Sequence, residues 1–382
     1  MRFLRVLLLI TVFMAWLPAA GTAEAQAEAD RGLPLCLPDV YLVEPDGCLA
    51  MGPAGKMTDL ARKGLYPEKP LPIRKPDPAL VDSPVNIARI NLDETEPAPL
   101  YGSFEDATQG QNPIAYIDPG YLRYVSYVQV AYYNEKPYLQ LKSGAWVRAS
   151  PVAYSSFQGV ELTDTPDHSF GWIFDHAEVR TAPGYSAPLR PEKLAKESLI
   201  SIYDMVTADG TDWYMIGVDR WVERRYVREL RIQKEPPEGV DNGRWIDINL
   251  YDQTLAVYED GKIVFATMMA SGAEPFFTRP GLFKIYKRLE TETMTGAFEA
   301  DRSDYYYLED VPWTMYFDEL RAIHGAYWRA WFGIEQSHGC INLSMGDAHW
   351  VYNWAREGDY VHVWDPSGRT PTDPSYYGAG GA

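Results

Sequence analysis

Cysteine is scarce in this chain, with three among 382 residues, at positions 36, 48 and 340. An odd count excludes a fully paired disulfide framework and leaves a thiol to explain. Histidine is nearly as rare, with six. Basic charge is in deficit: 35 Lys and Arg stand against 53 Asp and Glu, a formal charge of −18. No basic face is left over for nucleic acid or anionic lipid. Long apolar runs are missing too. The run from Val6 to Ala20 spans fifteen residues and contains Pro18, short of the ~20 that a membrane helix needs. Helical periodicity is confined to one stretch near the C-terminus. Aromatics are what the chain has in plenty, and its 27 Tyr and 12 Trp favour β structure and stacking surfaces.

Arg2 and Arg5 precede the apolar run, and Ala23-Glu24-Ala25 follows it. A basic start, a short apolar core and a small-x-small site read as a secretory signal over residues 1–25. The protein is therefore expected outside the cytoplasm, with no membrane span after cleavage. Thiols tend to pair in that compartment. Cys36 and Cys48 lie close enough to close a small disulfide loop, which would stabilise by roughly 2–3 kcal/mol in the chain-entropy model. Cys340 is then left unpaired, either buried and inert or kept for chemistry. Residues 26–84 read as this loop plus a linker, because six prolines between Pro67 and Pro84 exclude helix and central strand.

Two later stretches echo each other at an offset of 75. Tyr138-Leu139-Gln140-Leu141 precedes Trp146-Val147, and Trp213-Tyr214-Met215-Ile216 precedes Trp221-Val222. Each alternates across a tight turn, as β-hairpins do. Residues 85–160 and 161–235 thus read as two small β modules that resemble bacterial SH3-like modules of exported wall proteins. The resemblance implies contact with wall polymer, although the hairpin tryptophans read more simply as module cores. Beyond the polar break at Glu235–Gly239, Trp245–Leu250, Leu255–Tyr258 and Ile263–Met269 form a strand meander. Ser344, with Asp347 three residues on, caps a helix whose apolar positions recur up to Ala355. Tyr360–Trp364 is a last strand. The tail over 365–382 is rich in Pro, Gly and Ser and is expected to be flexible.

Chemistry concentrates in Ser337-His338-Gly339-Cys340-Ile341-Asn342-Leu343. Extended backbone would put His338, Cys340 and Asn342 on one face and Ile341 and Leu343 in the core. Sixteen residues upstream, His324-Gly325 supplies a second imidazole. An ordinary thiol is only a few per cent ionised at neutral pH, so a nucleophilic cysteine needs a base to take its proton and later return it to a leaving amine. A glycine beside the nucleophile lets a backbone N–H approach a developing oxyanion.

With these residues in place, the segment 244–364 resembles the catalytic domain of the L,D-transpeptidase (YkuD) family. The likeness rests on Ile323-His324-Gly325, on Ser337-His338-Gly339-Cys340-Ile341-Asn342, and on the Ser271-Gly272 turn. It rests also on Thr278-Arg279-Pro280-Gly281 before Phe283-Lys284-Ile285. The family implies a mainly β fold, a β-sandwich with one short helix, preceded here by the two β modules. It implies a cysteine acyltransferase that cross-links peptidoglycan stem peptides, both donor and acceptor, through a thioester. Carried over, Cys340 is the nucleophile and His324 the proton carrier, oriented by a carbonyl near Gly325. Gly339 and Cys340 amides would form the oxyanion hole, while Ser337, His338 and Asn342 shape the site. Carbapenem β-lactams are implied inhibitors, and no cofactor is implied.

Arg279 departs from the family's usual turn, where Thr-x-x-Gly or Thr-Pro-x-Gly is the pattern; this affects a structural turn and leaves the chemistry untouched. The acidic, Tyr-rich stretch from Glu290 to Tyr316 falls where a lid or an ordinary insertion would sit. A zinc site built from His324, His338, Cys340 and His349 is disfavoured, since the i,i+2 spacing is awkward and no second cysteine is at hand. Two other readings use the same residues. A carboxypeptidase would let water resolve the thioester, and a non-catalytic wall-binding protein would keep the domain as a relic.

Overall fold

A computed structural model describes residues 60–65, 68–302 and 304–377. The signal segment and the Cys36–Cys48 loop lie outside the described residues. Two compact units divide the chain, Met1–Pro67 and Glu68–Ala382. In the first, residues 60–65 make a helical turn closed by the Leu65 N–H on the Leu60 carbonyl at 2.8 Å. The second is mainly β.

Alternation along Arg244–Asn249 and Thr254–Glu259 sends one set of side chains to each face of a seven-stranded sheet. Its strand order is Ile73–Arg74, Val160–Leu162, Lys262–Met268, Thr254–Glu259, Arg244–Asn249, Tyr360–Trp364, Gly281–Lys284. Ile246, Ile248, Leu255, Val257 and Phe265 face one core, which they share with Trp313, Met315, Phe317, Ile323, Ile341 and Leu343 of the opposing sheet. Trp245, Ala256, Tyr258, Ile263 and Met268 face the other, which Phe170, Trp172 and Leu230 complete. A sheet covered on both faces explains strands in which nearly every residue is buried. Trp245 and Tyr258 stack at 4.4 Å there, a pairing worth about 0.5–1.5 kcal/mol beyond area burial.

The opposing sheet runs Ile341–Leu343, Arg321–Gly325, Tyr306–Asp318, Leu122–Tyr133, and on through the first β module. Tyr306–Leu308 pairs in parallel with Leu122–Tyr124, so the module and the catalytic sheet are continuous. The helix Met345–Trp354 is N-capped by Ser344, whose Oγ accepts the Asp347 N–H at 3.3 Å. It buries Met345, Ala348 and Val351 in the sandwich core.

The two repeat hairpins form with the same register. Tyr138, Leu139 and Gln140 face Arg148, Val147 and Trp146, and the residues 75 further on pair identically: Trp213, Tyr214 and Met215 face Glu223, Val222 and Trp221. Each hairpin lies over a separate small core. The borders of these units differ from the expected ones. Residues 160–162, placed by sequence at a module junction, are a strand of the catalytic sheet, and Ile73–Arg74 from the proline-rich linker adds its edge strand. The linker is therefore not a free tether. Proline is tolerated there because an edge strand leaves one row of N–H groups unused. The tail is also packed as far as Tyr377. Asp365 accepts the Thr370 N–H at 2.8 Å, and the Tyr377 ring lies 5.3 Å from the Arg321 guanidinium.

Candidate active site

Two parallel strands bring the predicted residues together. Ile323, His324 and Gly325 pair with Ile341, Asn342 and Leu343, so His324 stands opposite Asn342, with Cys340 two positions before it. Alternation buries Ile323, Ile341 and Leu343 in the sandwich core, leaving the polar side chains for the other face. The extended run stops at Gly339, whose φ of +121° few side-chain-bearing residues adopt. That turn separates His338 from Cys340. Instead of sharing the Cys340 row, His338 stacks on Phe298 at 4.4 Å and meets Phe276 at 4.8 Å. Burial there pushes its pKa down.

Cys340 is fully buried. This corrects the expectation that accompanies a nucleophilic role, a sulfur ionised by an adjoining ring and open to solvent. Burial pushes the thiol up to about 11, against weaker opposing pulls from the Ala322 N–H and the Arg321 charge. The Ala322 N–H meets Sγ at 3.3 Å, and the Leu320 carbonyl lies 3.7 Å away. His324 is buried as well, and desolvation pushes it down to about 4. At neutral pH the proton thus rests on sulfur and the imidazole is neutral, which is the form that can accept a proton. The Gly325 carbonyl lies 3.2 Å from His324 Nδ1, at the position expected of an orienting group. Nε2 lies 3.4 Å from Asn342 Nδ2.

The Gly339 N–H, expected in an oxyanion hole, is directed at Ser337 Oγ at 3.2 Å, while that hydroxyl donates to the Cys340 carbonyl at 2.5 Å. Ser337 therefore closes the Gly339–Cys340 turn on itself. Thr278 adds a second tie: its hydroxyl donates to the Gly339 carbonyl at 2.8 Å and accepts the Gly272 N–H at 2.9 Å. At Gly272 an added Cβ would lie 2.9 Å from the Gly339 Cα and 2.1 Å from the Phe276 carbonyl, so only glycine fits against the turn.

Several residues at the site escaped the sequence reading. Arg329 donates to Asn342 Oδ1 at 2.5 Å and to Gln336 Oε1 at 2.7 Å, bridging the strand and the loop that leads to Cys340. Arg279 bonds Asp318 at 3.0 Å, and Arg321 bonds the same carboxylate at 3.0 Å. The Glu290–Tyr316 stretch is a β-hairpin, Lys287–Gly296 against Tyr306–Asp318, and Phe298 lies in its connecting loop. Arg279 entered the sequence reading only as a departure within a turn, without its tie to Asp318, and Phe298 left no trace beyond a lone aromatic in an acidic loop. Among the described residues no group of three or more His, Cys, Asp or Glu is arranged to hold a metal ion. His349 stacks on Trp313 at 4.4 Å, away from Cys340. A cavity of about 530 Å³ opens on the first β module, lined by Tyr101, Tyr138 and Arg148. It does not include Cys340, so cavity size does not locate this site; the reactive groups do.

Comparison with known proteins bears on the same segment. L,D-transpeptidase 1 of Mycobacterium tuberculosis is 26% identical over 196 residues, covering 47% of this chain and 76% of that protein. The catalytic domain of the Enterococcus faecium L,D-transpeptidase, solved by NMR, is 26% identical over 33% of this chain and all of that domain, with a TM-score of 0.30. A cysteine-to-serine mutant of the Enterococcus faecium enzyme is 25% identical, with a TM-score of 0.30, covering 32% of this chain and 50% of that one. The chain thus spans about half the length of that solved enzyme. Residues 243–363, which build the Cys340–His324 site, match the family model of the YkuD L,D-transpeptidase catalytic domain.

Proposed function

We propose that this protein is a secreted L,D-transpeptidase that forms peptidoglycan cross-links through a thioester on Cys340. The observation that supports the reading is the Cys340 thiol of the Ser-His-Gly-Cys turn, immediately before the strand that pairs with the strand of His324, whose neutral imidazole is oriented by a backbone carbonyl. In the donor step His324 takes the thiol proton as sulfur attacks the carbonyl at the L-centre of the diamino acid in a tetrapeptide stem. The C–N bond to the terminal D-alanine breaks, and the imidazolium returns the proton to the departing amine. The side-chain amine of a second stem then attacks the thioester, giving the cross-link and restoring the thiol. A buried sulfur must be uncovered for this, and a donor peptide that displaces its cover would bring substrate and base together in a water-poor site.

Incubation with a disaccharide-tetrapeptide, followed by mass analysis, tests the reading. Cross-linked dimer supports transfer, and tripeptide alone supports the carboxypeptidase instead. Neither product, from folded protein, sinks both and leaves a wall-binding relic. A carbapenem is expected to add one covalent adduct by intact mass, and Cys340→Ala to abolish it.

A further inference from the structure

Arg321 and Arg279 are absorbed neither by the family signature nor by the thiol–imidazole chemistry, yet they meet beside the nucleophile. Arg321 is 3% exposed, as is the Asp318 carboxylate it bonds at 3.0 Å. Arg279 reaches the same carboxylate from the turn before Gly281 through two guanidinium nitrogens. Two guanidinium groups thus share one carboxylate, and the Glu319 carboxylate also acts on Arg279. The inner end of this cluster touches the nucleophile turn: a Cβ at position 339 would sit 3.1 Å from Arg321 Nε and 3.4 Å from its Cγ. The Arg321 stem therefore packs directly under the glycine that breaks the strand before Cys340. The next residue, Ala322, gives its N–H to the sulfur.

We propose that Arg321, clamped by Asp318 and Arg279, is a positioning residue that holds the Gly339–Cys340 turn in place and stabilises the ionised sulfur. The proposal rests on Cys340 being the nucleophile of the function above. It also revises the reading of Arg279 as a purely structural departure, because Arg279 shares the Asp318 carboxylate that Arg321 bonds and so offsets its charge. A thiolate formed during attack is desolvated, and a fixed guanidinium costs no reorganisation at that moment. The sulfur's other charged and titratable neighbours act differently. His324, on the adjoining strand, is neutral at rest and takes the proton. Tyr316, on the long strand, has its hydroxyl pushed up by burial and by Cys340. Tyr377 covers the outer face of Arg321. His338 turns away to Phe276 and Phe298, and Arg329 acts on the imidazole.

Iodoacetamide alkylation of Cys340 as a function of pH, on the full chain, tests this without requiring transpeptidase turnover. Arg321→Met is expected to raise the apparent thiol pKa by about one unit, cutting the thiolate fraction about tenfold. Higher intrinsic nucleophilicity returns part of that, so alkylation at a fixed pH of about 8 should slow about three- to fourfold. Arg321→Lys should recover most of the loss. Arg279→Met removes a partly exposed side chain, so its fold should survive even if Arg321→Met does not, and it should slow alkylation in the same direction by a smaller factor. Folded Arg321→Met, or folded Arg279→Met if the former does not fold, with the wild-type pH profile overturns the proposal. Absence of both dimer and tripeptide from wild-type protein would instead overturn the functional reading and leave the alkylation result standing.

Discussion

At the scale of single residues, burial decides the charge states. His324 and Cys340 are both desolvated, which drives the imidazole down to about 4 and the thiol up to about 11, each toward its neutral form. Asp347 is buried too, and desolvation pushes its carboxyl up to about 6, although Thr267, the Gly159 N–H and Ser344 pull it down. These two groups shape acid stability with opposite signs. A depressed imidazole contributes stability above its unfolded pKa of ~6.5, and loses it as pH falls toward 4. A raised carboxyl contributes below its unfolded pKa of ~3.9, and loses it as pH rises through 6. The two slopes oppose each other between about pH 4 and 6. Asp347→Asn removes the opposing slope, so its melting temperature should fall more steeply from pH 6.5 to 4.5 than that of the wild type. Parallel curves would show that Asp347 carries no raised pKa.

At the scale of elements, the Gly339–Cys340 turn is held from outside its own strand. Thr278 ties it at the Gly339 carbonyl, while Ser337 ties it from within. Thr278→Val keeps the shape, yet leaves the Gly339 carbonyl and the Gly272 N–H without that partner. Such loss costs about 1–3 kcal/mol per unsatisfied buried group. Urea unfolding is expected to show a lower midpoint with an unchanged m-value, and Cys340 should alkylate faster as the turn loosens. Wild-type alkylation in a destabilised variant would confine Thr278 to stability. The Glu290–Tyr316 stretch was legible only as a lid or an ordinary insertion and not as a hairpin, because a β-hairpin's register follows from cross-strand packing that local composition does not encode. What makes it part of the site is Phe298 stacking on His338.

At the scale of the whole molecule, the catalytic sheet depends on residues far outside 243–363. Val160–Leu162 pairs with Phe265–Ala266, Ile73–Arg74 extends that edge, and Trp172, Phe170 and Leu230 cover Trp245 and Tyr258. A chain cut back to residues 240–377 would expose these large apolar side chains, each worth roughly 1.5–3 kcal/mol when buried. It is expected to be insoluble, or to melt well below the 68–377 chain, and coexpression of residues 68–235 should rescue it. A soluble 240–377 fragment with the melting temperature of the longer chain would refute this dependence.

The sequence alone determined what is local and chemical: the strand alternation at Trp245–Tyr258, the two hairpins at their offset of 75, the Ser344 cap, and the Cys340–His324 pair within its motif. Each depends on residues close along the chain or on residue types that only one kind of chemistry requires. Only the tertiary structure decided that Cys340 is buried rather than open, that Gly339 turns His338 away, and that linker residues 73–74 join the catalytic sheet. It also placed Arg279 and Arg321 on one carboxylate, with Arg321 against Gly339. Those outcomes depend on which distant segments exclude water from a given atom, and burial, unlike periodicity, is set by contacts that the order of residues does not display.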